Sequence, residues 1–299
     1  MHALSSKAIS RLIGKFDALL DVKSGRNRTA ITLFALVVFG GGLFVAFRSL
    51  DAGLQIELPL LTALSMLALL CLTFIVNVTR THTYSKIVGA DLDVGDSARV
   101  SLFGSALNML PLIIPAGMYM RMSNFIRHGG RTRHVAGVLV TNYLLSLASS
   151  LAIGLAMIHS SVAADLSLPV AIVVTGYVVL GVVLVRISGM RYGAVIALLE
   201  LFAVAIDAAR IFLCFQILGF GVEIAQAAVL TVSAILGSAV SIVPAGLGIR
   251  ELVGAGISPL IQVVPQQTFL AIALNRVFGI AFFVGLASLV LWWERDESP

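Results

Sequence analysis

Charge is scarce in this chain. Lys, Arg, Asp and Glu make up 12% of the 299 residues, hydrophobic residues make up 59%, and the mean hydropathy is +1.03. A soluble domain carries about 25% charged residues, so a soluble globular fold is excluded. Cysteine is nearly absent. Cys71 and Cys214 both lie in apolar stretches and read as small packing residues, not as a disulfide or metal pair. Five histidines (His2, His82, His128, His134 and His159) are scattered along the chain, whereas metal ligands come in clusters. No CxxC, HExxH or P-loop pattern occurs, so neither a metal nor a cofactor is expected. The formal net charge of +5 does not point to nucleic acid. In so apolar a chain, positive charge collects in cytoplasmic loops and fixes orientation.

What the chain has in quantity is apolar sequence. Stretches at about 30–48, 58–79, 135–158, 168–186, 195–217 and 267–292 reach the roughly 20 residues needed to cross a bilayer. Two more, at about 98–121 and 225–262, are interrupted by proline and glycine. Proline removes a backbone donor and disfavours helix in the residue before it. Broken backbone at membrane depth survives only inside protein or beside a water-filled cavity.

The two interrupted stretches share wording. Gly104-Ser105-Ala106 followed by Pro111 recurs as Gly237-Ser238-Ala239 followed by Pro244. Pro115-Ala116-Gly117 followed by Arg121 recurs as Pro244-Ala245-Gly246 followed by Arg250. Arg80 precedes Gly89 by the spacing at which Arg210 precedes Gly219, and Asn142 corresponds to Asn275. Four matches in one order indicate an internal duplication.

Positive charge sets the expected topology. Residues 5–23 carry Ile9, Leu12, Ile13, Phe16, Leu19 and Leu20 at helical spacing, with Lys7, Arg11 and Lys15 largely off that stripe. This reads as an amphipathic helix lying on an anionic lipid surface. Lys23, Arg26 and Arg28 add to the charge that holds the N-terminus in the cytoplasm. Arg80, Lys86 and Arg99 precede the first interrupted stretch, and Arg121, Arg127, Arg131 and Arg133 follow it. Both flanks therefore favour the cytoplasm, and the stretch enters and returns. The second interrupted stretch would dip in from outside, and the last span would lead to a cytoplasmic tail. The expected fold is an all-α polytopic membrane protein with six spanning helices and two re-entrant segments as inverted repeats. Eight spanning helices are the alternative. Residues 1–28 form the N-terminal helix, 29–160 the first repeat, 161–293 the second and 294–299 the tail.

Ionisable residues inside spans are expensive and face an interior or an aqueous path. Glu200, Asp207 and Arg210 fall near one helical face, where Asp207 and Arg210 could pair. Arg276 lies inside the last span and needs Glu251 or Asp207 as partner. Gly248, then Arg250-Glu251, follows the proline break, where a starting helix aims its amides at an anion. Arg121 holds the equivalent place in the first repeat. Arginine suits bidentate phosphate contact, and a cavity carrying Arg121, Arg250 and Arg276 would suit a phosphate headgroup.

At Pro244-Ala245-Gly246-Leu247-Gly248-Ile249-Arg250-Glu251 the chain resembles the membrane domain of lysylphosphatidylglycerol synthases, the flippase-like part of multiple peptide resistance factors. The family pattern there is P-x-G-x-G-x-R-E. Asn108, Pro111, Gly117 and Arg121 resemble the family's upstream residues, as does Asn275-Arg276 near the end. Met118 stands where the family often has Glu. The resemblance covers most of residues 30–290 and includes no soluble synthase domain, so it implies movement of a lipid between leaflets and not synthesis. It implies a bacterial inner-membrane protein with lipid as cargo. The alternatives are a scaffold for a separately encoded lipid-modifying enzyme and a glycosyltransferase-like enzyme. For the last, Asp91-Leu92-Asp93 is the nearest approach to a catalytic acidic pair and reads better as a polar loop.

Overall fold

The structure, a computed structural model, describes residues 40, 41, 44, 48, 59–109, 116–161, 167–239 and 248–296. The expected helix over 5–23, most of the span at 30–48, and Pro111, Pro244 and Gly246 lie outside the described residues.

Among the described residues there is no strand, and the long elements are α1 (Leu60–Val88), α2 (Val94–Met109), α3 (Ala116–Arg127), α4 (Thr132–Ser161), α5 (Ser167–Ser188), α6 (Met190–Ile217), α7 (Ile224–Ala239), α8 (Ile249–Ile257) and α9 (Pro265–Asp296). A 3-10 turn, Ser258–Ile261, follows α8. Segments Leu60–Val88, His134–Gly154 and Pro265–Trp293 are long and apolar enough to cross a membrane. The chain is a helical membrane protein.

The order long, medium, short, long occurs twice: α1–α4 and α6–α9. The helix ends match as well. α1 stops at Gly89 (φ 72°), with the Ala90 amide donating to the Ser85 carbonyl at 2.8 Å. α6 stops just before Gly219 (φ 73°), with the Phe220 amide donating to the Phe215 carbonyl at 2.9 Å. Both are left-handed glycine terminations, which hand orphan carbonyls a donor without a Cβ clash. Asn142 and Asn275 hold the same position within α4 and α9, and Arg80 and Arg210 the same position within α1 and α6.

Each medium–short pair is a hairpin that returns to its starting level. The Asp91 amide, just before α2, donates to the His128 carbonyl, just after α3, at 2.9 Å. Gln226 in the first turn of α7 donates to the Ile261 carbonyl, just beyond α8, at 2.8 Å. The 16 residues of α2 or of α7 give a rod of about 24 Å at 1.5 Å per residue, short of the ~30 Å hydrocarbon core.

Helices α1 and α6 run antiparallel. Met66 and Leu70, early in α1, share an apolar cluster with Ile211, Cys214 and Phe215, late in α6. Tyr84 and Val88, late in α1, share a second cluster with Ile196, early in α6, and with Phe125 and Val135. Each cluster is a plug of packed side chains at one end of the bundle. The middle of both helices, between the plugs, is lined with polar residues.

The hairpins exchange partners: α2 packs on α9 and α7 packs on α4. Small residues permit the closest approaches, as is common between membrane helices. A Cβ built on Gly154 of α4 would lie 3.3 Å from the Cα of Val229 in α7.

Three boundaries differ from the sequence expectation. α1 runs to Val88, so Arg80 is helical and not in a loop. The gap between the apolar stretches ending near 186 and starting near 195 reduces to Gly189 (φ 83°), between α5 and α6. The charged residues Glu294, Arg295 and Asp296 continue α9, so the final helix takes in the first half of the expected tail. Glu and Arg are good helix formers, and without a glycine or proline nothing stops α9 at its apolar limit.

Candidate functional site

A cavity of about 280 Å³ lies between the two apolar plugs. Its wall comes from α1, α2, α3, α4, α6, α7, α8 and α9. Five arginines reach it, Arg80, Arg121, Arg210, Arg250 and Arg276, against three carboxylates, Glu200, Asp207 and Glu251. Hydroxyls and amides fill in between them, among them Thr73, Asn77, Asn108, Ser146 and Asn275.

Three arginines are paired across or along helices. Arg80 Nη1 lies 2.6 Å from Glu200 Oε1, and Arg80 Nη2 donates to Asn77 Oδ1 at 2.7 Å. Ser146 on α4 donates to the other Glu200 oxygen. Arg210 Nη1 sits 3.2 Å from Asp207 Oδ1, one turn earlier on α6, and its Nη2 donates to the Asn275 carbonyl at 3.4 Å. Arg276 Nη1 sits 3.3 Å from Glu251 Oε1, joining α9 to the first turn of α8. Glu200 and Glu251 are 1% and 0% exposed, so the Arg80–Glu200 and Arg276–Glu251 pairs are desolvated and join different helices, whereas Asp207 is half-exposed.

Arg121 has no ion-pair partner among the described carboxylates. Its charged neighbours are Arg80 and Glu200. Gly104 sits against it: a Cβ there would be 3.5 Å from Arg121 Nε. In the second repeat Gly237 sits against Arg250, where a Cβ would fall 2.8 Å from the arginine's Cα and 2.9 Å from its backbone nitrogen. The repeated glycine therefore has one job twice over, which is to let the medium helix touch the arginine of the short helix. Gly117 is tighter still. A methyl there would lie 2.1 Å from the Gly104 carbonyl oxygen. The Gly117 amide donates to Asn108 Oδ1 at 3.0 Å, closing the tip of the first hairpin.

Several buried polar atoms around the cavity have no hydrogen-bond partner within the described protein: Nε of Arg121 and Arg210, Oε2 of Glu251, and Oδ1 of Asn275. Buried donors and acceptors are rarely left so. Such atoms are satisfied by water or by a polar ligand group.

Of the residues expected from the sequence, Asn108, Arg121, Asp207, Arg210, Arg250, Glu251, Asn275 and Arg276 all line this one cavity. Gly117 and Gly248 shape backbone instead, the second with φ 80° at the start of α8. Met118 is exposed on α3. Asp91 and Asp93 belong to the first hairpin's base, where Asp93 Oδ1 accepts the Asp96 amide at 2.6 Å and caps α2.

Arg80 and Asn77 are site residues that sequence reasoning missed, because Arg80 counts there as loop charge. The signal was present. Arg80 stands to Gly89 as Arg210 stands to Gly219, and Arg210 lies in mid-span, so Arg80 must lie equally deep.

No protein-family model and no curated protein matches the chain.

Proposed function

We propose that this protein is a lipid flippase or transporter that passes an anionic, phosphate-bearing lipid headgroup between leaflets of a bacterial inner membrane. The observation that carries the reading is the arginine-rich cavity, walled by both hairpins and flanked by an apolar cluster toward each end of α1 and α6. In transporter folds, broken helices from two repeats meet at a substrate site near the bilayer midplane. The resemblance to the membrane domain of lysylphosphatidylglycerol synthases points the same way. Candidate cargoes are a phospholipid, a polyprenyl-phosphate-linked lipid or a hopanoid-type lipid.

In this reading each hairpin is re-entrant and each repeat crosses three times, so the repeats are inverted. The shared level of each hairpin's two ends and the antiparallel course of α1 and α6 support that arrangement. Six helices then span, with both termini in the cytoplasm and the N-terminal helix resting on anionic lipid.

A scaffold for a lipid-modifying enzyme is the second reading. It requires the intramembrane charges to cancel and leave no cavity, and the excess of arginine around an open space favours the transporter. A glycosyltransferase-like enzyme is third, and Asp93 serves as a helix cap rather than as a free acid.

The test is reconstitution in vesicles with leaflet-resolved fluorescent phospholipid and polyprenyl-phosphate. The wild-type chain is expected to move at least one of them faster than empty vesicles, and Arg250→Ala to abolish the movement. Activity at the empty-vesicle level for every cargo would overturn the proposal.

A further inference from the structure

The repeats differ at a position that faces the cavity. Asn77 stands three residues before Arg80, and Asp207 stands three residues before Arg210, the counterpart of Arg80 in the second repeat. Both side chains do the same mechanical task. Asn77 Oδ1 accepts from Arg80 Nη2 at 2.7 Å, and Asp207 Oδ1 accepts from Arg210 Nη1 at 3.2 Å. A neutral amide therefore suffices to orient an arginine at this place. What the acid adds is a counter-charge. In the first repeat the two tasks are divided, since Asn77 orients Arg80 and Glu200 neutralises it. In the second repeat Asp207 does both. At 40% exposure it is also the accessible carboxylate of the cavity wall, beside 1% for Glu200 and 0% for Glu251. Arg210 is buried, and its Nε has no hydrogen-bond partner within the described protein, so it keeps a donor for a ligand.

We propose that Asp207 is a proton-binding site, and that an anionic phosphate headgroup enters the cavity together with one proton taken up by this carboxylate. This inference rests on the lipid-transport reading of the same cavity and gives it an energy source. An anion that bonds to Arg210 becomes its counter-ion and sets a second negative charge beside Asp207. Like charges in one poorly solvated site favour protonation of the carboxylate. The proton comes from water in the cavity, one O–H bond forms on a carboxylate oxygen, and no other covalent bond is made or broken. The neutral acid still offers its carbonyl oxygen to Arg210 and gains a donor for a phosphate oxygen. The loaded second repeat then copies the first: an arginine, a neutral partner three residues earlier, and an anion supplied from elsewhere. A phosphodiester monoanion and a proton together add no net charge, so loading leaves the charge of the cavity as it was. The other ionisable groups around Asp207 are placed differently. Arg80 on α1 and Arg250 on α8 are its charged neighbours, and Glu200, Glu251 and Arg276 line the same cavity from α6, α8 and α9. Among the described residues α4 and α7 present only hydroxyl and apolar side chains to the cavity, and α5 does not reach it.

The decisive experiment measures binding to the purified full chain in nanodiscs of zwitterionic lipid at pH 5.5 and pH 7.5. The probes are phosphatidylglycerol with a fluorescent acyl chain and its soluble deacylated headgroup, glycerophosphoglycerol. Neither phosphodiester changes its own charge between those pH values. Proton uptake is read with a pH indicator in weak buffer. The wild-type chain is expected to bind at least about fivefold more tightly at pH 5.5, within the roughly tenfold per pH unit that a one-proton linkage allows, and to take up protons as it binds. Asp207→Asn, which installs the side chain that the first repeat carries, should bind within about twofold at the two pH values and take up none. Asp207→Ser, equally unable to titrate, should match it and serves should Asp207→Asn fail to fold. Asp207→Glu should restore both effects, and His82→Gln, which is not on the cavity wall, should retain both. A smaller ratio in the wild-type chain, or a larger one in the variants that cannot titrate, overturns the inference.

The parallel flipping assay separates the two layers. If the lipid binds and moves equally well at both pH values, the proton inference fails and transport stands. If glycerophosphoglycerol binds with proton uptake while the lipid neither binds nor moves, the proton site stands and the lipid-transport reading fails. If neither probe binds at either pH, both fail.

Discussion

The Arg80–Glu200 pair allows a quantitative test of the cavity as a desolvated charge network. Glu200 is 1% exposed and accepts from Arg80 at 2.6 Å and from Ser146, and Arg80 is 14% exposed. Removing one partner of a buried ion pair leaves the other charge uncompensated and costs about 3–5 kcal/mol. Arg80 keeps its bond to Asn77 and some contact with the cavity, so Glu200→Gln should lie near the lower limit, ~3 kcal/mol. Arg80→Gln combined with Glu200→Gln removes both charges and should recover most of that loss. The coupling energy between the sites should then reach ~2 kcal/mol, within the range for residues in direct contact. Equilibrium unfolding in mixed detergent micelles can follow this through Cys214, which is fully buried, in a Cys71→Ser background that leaves it the only cysteine. If Glu200→Gln unfolds within about 0.5 kcal/mol of the wild type, or if the two losses simply add, the pair is solvent-screened and the reasoning fails.

Further outcomes follow from the same geometry. Gly117→Ala drives a methyl into the Gly104 carbonyl, where only backbone can yield. It should destabilise by ~3 kcal/mol or more, measured in the same unfolding assay, while Gly176→Ala, with open space around it, should stay within about 0.5 kcal/mol of wild type. Cysteines at Asp93 and His128, both exposed, should react with a membrane-impermeant maleimide from one side of the membrane. Cysteines at Glu223 and Gln262, also exposed, should react from the other; labelling of 93 and 128 from opposite sides would mean that the first hairpin spans. Gln226→Leu removes the side-chain donor that ties the start of α7 to the Ile261 carbonyl. It should loosen the second hairpin by ~1 kcal/mol, seen as faster amide exchange around residues 258–263.

Much of this arrangement was legible because membrane helices are punctuated sparsely. In so apolar a chain, glycine and proline are the main local signals, and they fall where helices end or cross. Gly89 and Gly219 stop α1 and α6, and Gly104 and Gly237 admit the arginines. In-span charge singled out Asp207, Arg210 and Arg276, with Asp207–Arg210 as a possible pair and Glu251 as one of two candidate partners for Arg276; the structure pairs Arg210 with Asp207 and Arg276 with Glu251. Arg80 escaped because charge counting assigns any arginine near the end of an apolar run to water. Its partner, Glu200, lies 120 positions away in sequence, and only the fold brings them together. The hydroxyls of Ser146 and Thr73 carried no signal, since serine and threonine are ordinary residues in a membrane helix, where they bond back to their own backbone.

The exchange of partners between repeats has a consequence for how the chain is made. The first hairpin packs against α9, yet roughly 140 residues separate the end of α3 from the start of α9. At ~5–20 residues per second, the ribosome needs on the order of ten seconds or more to supply that surface. Arg80 and Arg121 stand in the membrane without Glu200 until α6 is made, and through the whole interval without Arg276 or the wall that α9 completes. A half-made chain is therefore a distinctive species, with two buried cations and an unfilled groove. Membrane-integral chaperones and proteases would meet this protein in that form, and a slow codon run or a truncation before Pro265 would prolong their opportunity.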